Sequence, residues 1–407
     1  MVEHKLFHQK TQRAVILDAE NRTAVVKDNI PIPKTQVGEV LVQIHAVALN
    51  PVDALYVHHP LGATGRIVGS DFAGVIVPHT LEDGENGKHQ VQRVAGFLQG
   101  ACSMNPRPGA FCEYVAIPPD LLWTVPAGMT LEEASTISLC GLTAAQALYW
   151  RLGLPAPFDH PRSKYFANIE QGEADAPWFL IYGASTSLGL YIAQFVRRSA
   201  EASGRRIKLI GTASPARFSM LQAEPYCYDA LISYRDPEWS GKAFEQATGG
   251  MKAKWAADCI SEGDTVRKGA NCLMPNSKMV AVRSRQGGAW SEENLREDVE
   301  VMYGAVWEGL GHEIKYQNMV VPADPKARDF AVQFYKWLSA GGKLAPNPTR
   351  VMPGGLGRIV PDGFALLGSD TMGDRAKGRT EEWMKPISAE KLVYQVGPAE
   401  KRQARAS

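Results

Sequence analysis

The first third of the chain consists of short apolar segments separated by turn residues. The clearest segment covers residues 37–49, where a turn opens a strand whose apolar residues fill nearly every position. Aliphatic and β-branched side chains in such a run favour a strand. The same texture recurs between Arg13 and Val77 and predicts a small, rolled-up, mostly antiparallel β domain.

A helical pattern follows this β-rich region. Thr130 is placed as an N-cap, and two glutamates occupy the first turn, where carboxylates complement the helix dipole. We therefore predict a helix over residues 131–148, broken near Gly141.

Short apolar strands alternate with helices beyond a polar stretch at residues 153–177. That stretch is rich in Pro, Asp and charge, and we predict that it is a surface loop between two domains. The alternation indicates a doubly wound parallel sheet, because each crossover needs a helix to cover a face of the sheet. The predicted strands are residues 178–182, 208–212, 230–233, 254–259 and 278–282, and the predicted helices are residues 188–202, 215–223 and 241–248.

The last part of the chain contains a helix, a Gly/Pro-rich region and one more strand. We predict the helix at residues 326–340 and a long loop with one short helix at residues 346–373. A strand at residues 390–396 returns to the first domain. The fold class is α/β, with a β-rich catalytic domain at residues 1–149 and 319–407 and a parallel-sheet domain at residues 150–318.

The composition indicates a folded protein with little net charge. Its 407 residues suit two domains, and 45% of them are hydrophobic, which is above the level of disordered chains. The formal charge of +1 gives no overall field to attract a nucleic acid or an anionic membrane. Residues 1–10 do not read as a signal peptide, and there is no apolar run of about 18 residues. We expect a cytoplasmic protein without nucleic-acid or membrane partners.

The cysteines are dispersed and never form a C-x2-C pair. This spacing predicts neither a disulfide framework nor a structural zinc site. We expect free thiols at Cys102, Cys112, Cys140, Cys227, Cys259 and Cys272.

Residues 178–194 carry the strongest chemical signal. An apolar strand ends at Gly183, and small residues lead into an amphipathic helix that contains Gly189. Backbone amides at a helix N-terminus bind anions, and the two glycines allow a pyrophosphate to approach closely. An ordinary strand-to-helix turn is the alternative, since the spacing departs from G-x-G-x-x-G. A phosphate site is favoured by three hydroxyls, those of Ser185, Thr186 and Ser187.

The next strand favours NADPH over NADH. An NAD-selective site places Asp or Glu at the end of this strand to bind the ribose 2′-hydroxyl. This chain has Thr212, Ala213 and Ser214 there, followed by Arg217. A hydroxyl and a guanidinium suit a 2′-phosphate, although Arg217 can also be a solvated surface charge.

Six short motifs occur in order along the chain: Asn50-Pro-Val-Asp53, Gly69-Ser-Asp-Phe-Ala-Gly74, Arg93-Val-Ala-Gly96, Gly109-Ala-Phe-Cys-Glu-Tyr114, Gly141-Leu-Thr-Ala-Ala145 and Gly183 to Gly189. This order resembles the zinc-free, quinone-reductase-like branch of the medium-chain dehydrogenase/reductase superfamily. Within it the chain looks most like fungal enoyl reductases that act in trans with polyketide synthases. The resemblance implies a GroES-like catalytic domain and a Rossmann NADP-binding domain.

The resemblance also implies that no metal takes part. Zinc-dependent members carry a Cys in the segment that corresponds to residues 50–53, and Gly-His-Glu where this chain has Gly69-Ser-Asp-Phe. Their four-cysteine lobe is absent, because Cys102 is the only cysteine between Val91 and Phe111. Without converging ligands, zinc cannot polarise a carbonyl.

The cofactor contacts and the substrate wall carry over from the resemblance. The implied cofactor contacts are Asn50, Pro51, Val52, Asp53, Ser185, Thr186, Ser187, Leu188, Ser214, Pro215, Ala216, Arg217, Tyr234, Val282, Arg283 and Lys391. The implied substrate wall is Ile137, Ser138, Leu139, Cys140, Gly141, Leu142, Thr143, Tyr303, Gly304, Ala305, Val306 and Trp307. Tyr234 can equally be an exposed loop aromatic, and the wall segments can equally be ordinary packing.

The proton donor has no counterpart in the sequence. In related mitochondrial enoyl reductases a tyrosine lies about eleven residues after the matching Asn, a position that is Leu61 here. Tyr56, His58 and His59 are polar residues nearby, and Tyr56 is the candidate donor, although none of the three matches a family role.

The resemblance implies NADPH-dependent reduction of an α,β-unsaturated thioester or polyketide intermediate in secondary-metabolite biosynthesis. A polyketide synthase or an acyl carrier protein would be the partner of a monomeric enzyme. A free enone, quinone or aldehyde is the alternative substrate. A redox-neutral isomerase or cyclase, or a non-catalytic partner, could use the same scaffold.

Overall fold

The computed structural model describes residues 10–78, 91–101, 109–162, 176–316, 319–375 and 378–397. The chain divides into two units. The first contains Met1–Leu139, Leu310–Asp324 and Tyr335–Ser407, and the second contains Cys140–Gly309 and Pro325–Phe334.

The strands of the first part of the chain are β1 (Thr11–Asp18), β2 (Thr23–Pro31), β3 (Val40–Ala48), β4 (Asp71–Ile76), β5 (Arg93–Phe97), β6 (Tyr114–Ile117) and β7 (Leu122–Thr124). Those of the second part are β8 (Trp178–Tyr182), β9 (Lys208–Ala213), β10 (Ala230–Ser233), β11 (Ala253–Asp258), β12 (Leu273–Ala281) and β13 (Val299–Met302). The last strands are β14 (Ile314–Tyr316), β15 (Met319–Val321), β16 (Thr349–Met352) and β17 (Lys391–Gln395).

The α-helices are α1 (Pro51–His58), α2 (Leu131–Ala134), α3 (Ser138–Ala145), α4 (Ser187–Ser203), α5 (Phe218–Gln222), α6 (Lys242–Thr248), α7 (Thr265–Asn271), α8 (Pro325–Ser339) and α9 (Ala365–Leu367). None of those in the described ranges has the length and apolar character that a membrane crossing needs.

A seven-stranded sheet forms the centre of the first unit. Its order is β16-β17-β3-β4-β5-β7, and β6 pairs with β3. Every pair is antiparallel except β16 with β17. Most of β3 is buried, which explains its nearly continuous apolar sequence. The predicted mostly antiparallel domain and its returning strand are confirmed.

A six-stranded parallel sheet forms the centre of the second unit, in the order β10-β9-β8-β11-β12-β13. The chain builds outward from β8 to β10 and then crosses to β11 on the other side of β8. Ligands of such sheets bind beyond the carboxyl ends of the strands at this reversal of direction. The doubly wound fold class is confirmed. A ligand site is therefore expected at the carboxyl ends of β8 and β11.

Two predicted elements differ from the structure. The helix expected over residues 131–148 is interrupted at residues 135–137 and not at Gly141, which lies inside α3. Ser135 and Thr136 donate their hydroxyls to carbonyls three residues back, at 2.7 and 2.8 Å, in competition with the helix backbone. The loop expected at residues 346–373 is also wrong, because it contains β16 and several helical turns.

Candidate active site

The turn between β8 and α4 is closed by two threonine hydroxyls. Gly183 has φ +77°, in the left-handed region, and its N–H donates to Thr212 Oγ1 at 3.1 Å. Thr186 is the N-cap of α4: its Oγ1 accepts from the Gly189 N–H at 3.0 Å and donates to the Gly183 carbonyl at 2.8 Å. The Thr186 hydroxyl therefore shapes the turn, a role that the sequence did not indicate.

The start of α4 packs directly against the end of β8 because Gly189 lacks a side chain. A Cβ at Gly189 would overlap the carbonyl oxygen of Gly183 and lie 2.8 Å from that of Ala184. The Leu188 N–H lies in the first turn, where it has no acceptor within the helix. Amides in this position form a cradle for an anion, so the turn fits a dinucleotide pyrophosphate. The structure brings the predicted residues Ser185, Thr186, Ser187 and Leu188 together here, all partly exposed.

Removal of the cap is expected to destabilise the protein. The change Thr186→Ala should lower the free energy of unfolding by about 1 kcal/mol, since it removes the N-cap acceptor. Thr186→Ser is the matched control and should retain most of the stability. Urea unfolding followed by circular dichroism measures both variants, and equal losses in the two would contradict the capping role.

A basic, partly exposed surface lies where β9 and β10 end. Arg235 donates from its guanidinium to Ser214 Oγ at 3.1 Å, and its Cζ lies 4.6 Å from the centroid of the Tyr234 ring. Tyr234 is 43% exposed. Arg217 follows Ser214 and donates its N–H to the Ser214 carbonyl at 2.8 Å, with Pro215 and Ala216 exposed between them. The structure thus brings Ser214, Arg217 and Tyr234 close together, and their binding of a 2′-phosphate stays a prediction.

Arg235 was not among the cofactor contacts predicted from the sequence. The signal was present, because Arg235 directly follows Tyr234, but its guanidinium reaches Ser214 only through the pairing of β9 with β10. Thr212, which the sequence analysis also placed at the end of this strand, is fully buried and is therefore not part of the exposed basic surface.

The loop after β11 binds the end of β12. Asp258 accepts the N–H groups of Ile260 and Ser261 on Oδ1, at 2.9 and 2.7 Å. Ser261 Oγ accepts the Val282 N–H at 2.9 Å. Arg283 pairs with Glu262 at 3.1 Å. The predicted cofactor residues Val282 and Arg283 are therefore tied to this loop.

This loop also lies next to the glycine turn. A Cβ at Gly183 would be 3.1 Å from Ile260 and 3.5 Å from Cys259. The ends of β8, β11 and β12 therefore meet at the point where the strand order reverses, which is the geometry of a dinucleotide site. Burial raises the pKa of Asp258.

A buried polar network occupies the first unit. Lys391 Nζ lies 2.6 Å from Asp71 Oδ2, and the same oxygen accepts from Asn50 Nδ2 at 3.0 Å. Asp53 accepts from Ser70 Oγ at 2.6 Å and from the Asn50 N–H at 2.8 Å. The structure thus joins three predicted cofactor residues, Asn50, Asp53 and Lys391, through Asp71 and Ser70. Pro51 and Val52 begin α1 beside them.

Asp53 is a carboxyl group that titrates near neutrality. Burial, which outweighs the hydrogen bonds from Ser70 and Asn50, raises its pKa to about 7, and the charge of Asp71 acts in the same direction. Lys391 acts in the opposite direction but is bonded to Asp71.

The raised pKa predicts how stability depends on pH. Between about pH 4 and pH 7 the folded protein retains a proton on Asp53 that the unfolded chain releases, so stability falls as pH rises through this window. The expected slope from this group is at most about 1.4 kcal/mol per pH unit. Chemical denaturation of wild type and of Asp53→Asn at several pH values measures it. The same slope in both proteins would contradict the assignment, since other buried acids such as Asp258 contribute equally to each.

The candidate proton donor is enclosed. Tyr56 lies in α1 and is only 3% exposed. His58 is half-buried, and its pKa is lowered first by burial and then by His59, which is exposed. The role of Tyr56 stays a prediction.

The predicted substrate wall consists of two segments with different surroundings. At the start of α3, Ser138 Oγ accepts from Trp123 Nε1 at 3.0 Å, and the Leu139 N–H donates to Asp71 Oδ1 at 2.8 Å. The segment includes Ile137, Ser138, Leu139, Cys140, Gly141 and Leu142, all buried, and the partly exposed Thr143.

The second wall segment is organised around a buried arginine. Arg151 forms an ion pair with Glu308, and a Cβ at Gly304 would overlap its guanidinium. Gly304 therefore leaves the space that Arg151 fills, which the sequence did not reveal. Ala305, Val306 and Trp307 are buried, and Tyr303 is partly exposed.

No group of three or more His, Cys, Asp and Glu side chains in the described ranges could hold a metal ion. Five cysteines are free thiols, and Cys102 lies outside the described residues. Burial raises the pKa of Cys112 and of Cys272 to about 12.

Comparison with known proteins finds similarity to dehydrogenases and reductases. Residues 36–127 match the alcohol dehydrogenase GroES-like domain. An alcohol dehydrogenase superfamily protein from Novosphingobium aromaticivorans superposes with a TM-score of 0.67 at 20% identity, over 95% of this chain and all of that one. The CurK enoyl reductase gives 0.63 at 16% identity, over 94% of this chain and 99% of that one. The fold is that of the medium-chain dehydrogenases/reductases.

Two sequence relatives of this chain are named for the same reaction. The trans-enoyl reductase buaC of Petromyces alliaceus is 29% identical over 97% of this chain and 99% of its own. The trans-enoyl reductase ACTTS2 of Alternaria alternata is 29% identical over 95% of this chain and 99% of its own. The resemblance predicted from the ordered motifs is confirmed.

Proposed function

We propose that this protein is an NADPH-dependent enoyl reductase that reduces an α,β-unsaturated thioester of a polyketide intermediate in secondary metabolism. The observation that carries the proposal is the similarity, over nearly the whole chain, to relatives named trans-enoyl reductases. The turn after β8 and the basic surface after β9 support the choice of cofactor.

The chain would bind the cofactor with two separate groups. The α4 N-terminus, shaped by Thr186 and Gly189, would receive the pyrophosphate through backbone amides. Ser214, Arg217 and Arg235 would receive the 2′-phosphate, because guanidinium groups form charge-assisted hydrogen bonds with phosphate oxygens. No carboxylate stands at the end of β9 to repel that phosphate.

Bound NADPH would supply the hydride that adds to the β-carbon of the alkene. A proton from water or from a side chain then enters at the α-carbon, so that the C=C bond becomes a C–C single bond with two new C–H bonds. The chain positions the acyl group and binds the thioester oxygen, and no metal is needed.

The test is a comparison of acceptors. The purified protein is offered NADPH or NADH with enoyl thioesters, free or on an acyl carrier protein, and with free enones, quinones and aldehydes. We expect NADPH oxidation matched by the saturated thioester, undiminished after treatment with a chelator. Turnover of enones or quinones alone would replace the substrate class. Cofactor binding without net oxidation during product formation would indicate an isomerase or cyclase.

We further propose that the substrate arrives on a polyketide synthase or its carrier domain, and that the protein is a cytoplasmic monomer. The relatives' name, trans-enoyl reductase, supports a separate synthase partner. A kcat/KM at least about tenfold higher for the carrier-bound thioester than for the free one is expected. Equal values would count against a carrier partner.

A further inference from the structure

One buried carboxylate joins three distant segments of the first unit. Asp71, the first residue of β4, is fully buried. Its Oδ1 accepts the Leu139 N–H at 2.8 Å, and its Oδ2 accepts from Asn50 Nδ2 at 3.0 Å and from Lys391 Nζ at 2.6 Å. Only a carboxylate can accept all of these bonds, because an amide would turn a donor toward one of them.

Two of these segments have separate parts in the proposed reaction. Asn50 stands at the start of α1 among the proposed cofactor contacts, and Leu139 stands in the first turn of α3, in the proposed substrate wall. The two oxygens of Asp71 therefore connect the cofactor segment with the substrate segment. Lys391 also donates to the Thr136 carbonyl at 3.3 Å, in the turn that precedes α3.

We propose that Asp71 is a positioning residue for hydride transfer, which sets the Asn50 segment against the acyl-binding segment, and that Lys391 is its counter-ion. The proposal rests on the proposed function. A buried charge without a partner is strongly destabilising, so Lys391 neutralises the carboxylate and need not touch the cofactor. The Lys391 side chain is only 2% exposed, in keeping with this role.

Stability separates the ion pair from the positioning role. Asp71→Asn and Lys391→Met each remove one charge of the buried pair and leave the other without its ion partner in that pair, and both should lower the Tm of the cofactor-free protein. The double variant Asp71→Asn/Lys391→Met removes both charges, and its Tm should return toward the wild-type value. If the Tm of the double variant falls by the sum of the two single-variant decreases, the assignment of Lys391 as the counter-ion is overturned.

Kinetics tests the positioning role in the double variant. Although stable, it should bind NADPH at least about fivefold more weakly, and its kcat should fall at least about tenfold. The deuterium isotope effect with NADPH labelled at the transferred position should rise, because misaligned hydride transfer becomes rate-limiting. Wild-type affinity, kcat and isotope effect in the double variant would overturn the proposal.

A second buried carboxylate in the same unit provides the control. Asp362 is fully buried and bonds the Arg358 guanidinium at 2.8 and 2.9 Å. Asp362→Asn should lower the Tm and leave the kcat unchanged. If the wild-type protein reduces no thioester, the proposed function fails, and the role of Asp71 is then decided by the NADPH affinity of the double variant alone.

Discussion

Gly189→Ala is expected to weaken NADPH binding about 100-fold and to lower the free energy of unfolding by about 3 kcal/mol. The added Cβ would overlap the Gly183 carbonyl and press on that of Ala184. Backbone at the end of a central strand cannot move aside as a flexible side chain can. The start of α4 would therefore shift away from β8 and carry its amides out of position.

The matched control is Gly357→Ala, because a Cβ at that position would meet no described atom within 4 Å apart from those of its chain neighbours and its own helix backbone. Calorimetric titration with NADPH and thermal unfolding of the cofactor-free protein measure both variants. Wild-type affinity in Gly189→Ala would show that the cofactor phosphates do not bind at this turn.

The double variant Arg217→Ala/Arg235→Ala is expected to bind NADPH about 100-fold more weakly, with little change for NADH. Each substitution would remove a charge-assisted hydrogen bond to the 2′-phosphate, which contributes about 1.5 kcal/mol of binding free energy on a partly exposed surface. Each single variant should therefore show roughly a tenfold loss.

Arg267→Ala removes another partly exposed arginine of the same unit, one that pairs with Asp264. It should bind NADPH like the wild type. Equal losses for NADPH and NADH in the double variant would mean that the two arginines do not read the 2′-phosphate, and the proposed cofactor preference would be withdrawn.

The sequence alone predicted those elements whose structure depends on interactions between residues close in the chain. The strand Trp178–Tyr182 and the cap at Thr130 were predicted because apolar runs and capping residues act over a few positions. The strand β16 was missed because Thr349–Met352 becomes a strand only by pairing with Lys391–Gln395, some forty residues later. The break at residues 135–137 depends on two hydroxyl orientations that no periodicity reports.

The candidate site follows the same rule: individual residues were predicted from local motifs, but partners distant in the sequence were not. Asn50 and Lys391 were both predicted as cofactor contacts, whereas Asp71, which joins them, appeared only within the Gly69–Gly74 motif and without a role. Asp71 is separated from Lys391 by 320 positions and sits at the start of an apolar strand, so its neighbours give no hint of its partners. Arg151 was hidden for the same reason, since its partner Glu308 lies 157 positions away.

The pairing of β17 with β3 has a consequence for synthesis on the ribosome. Translation delivers β3, β4 and Asp71 early, and then the whole parallel sheet, before residues 391–395 exist. Until those residues emerge, β6 can pair with the first half of β3, but the edge of β3 at residues 46–48 stays unpaired and Asp71 lacks its ion partner Lys391. The β-rich unit therefore completes its sheet last, although its chain begins first, and the nascent protein carries a short unpaired stretch of strand through most of its production.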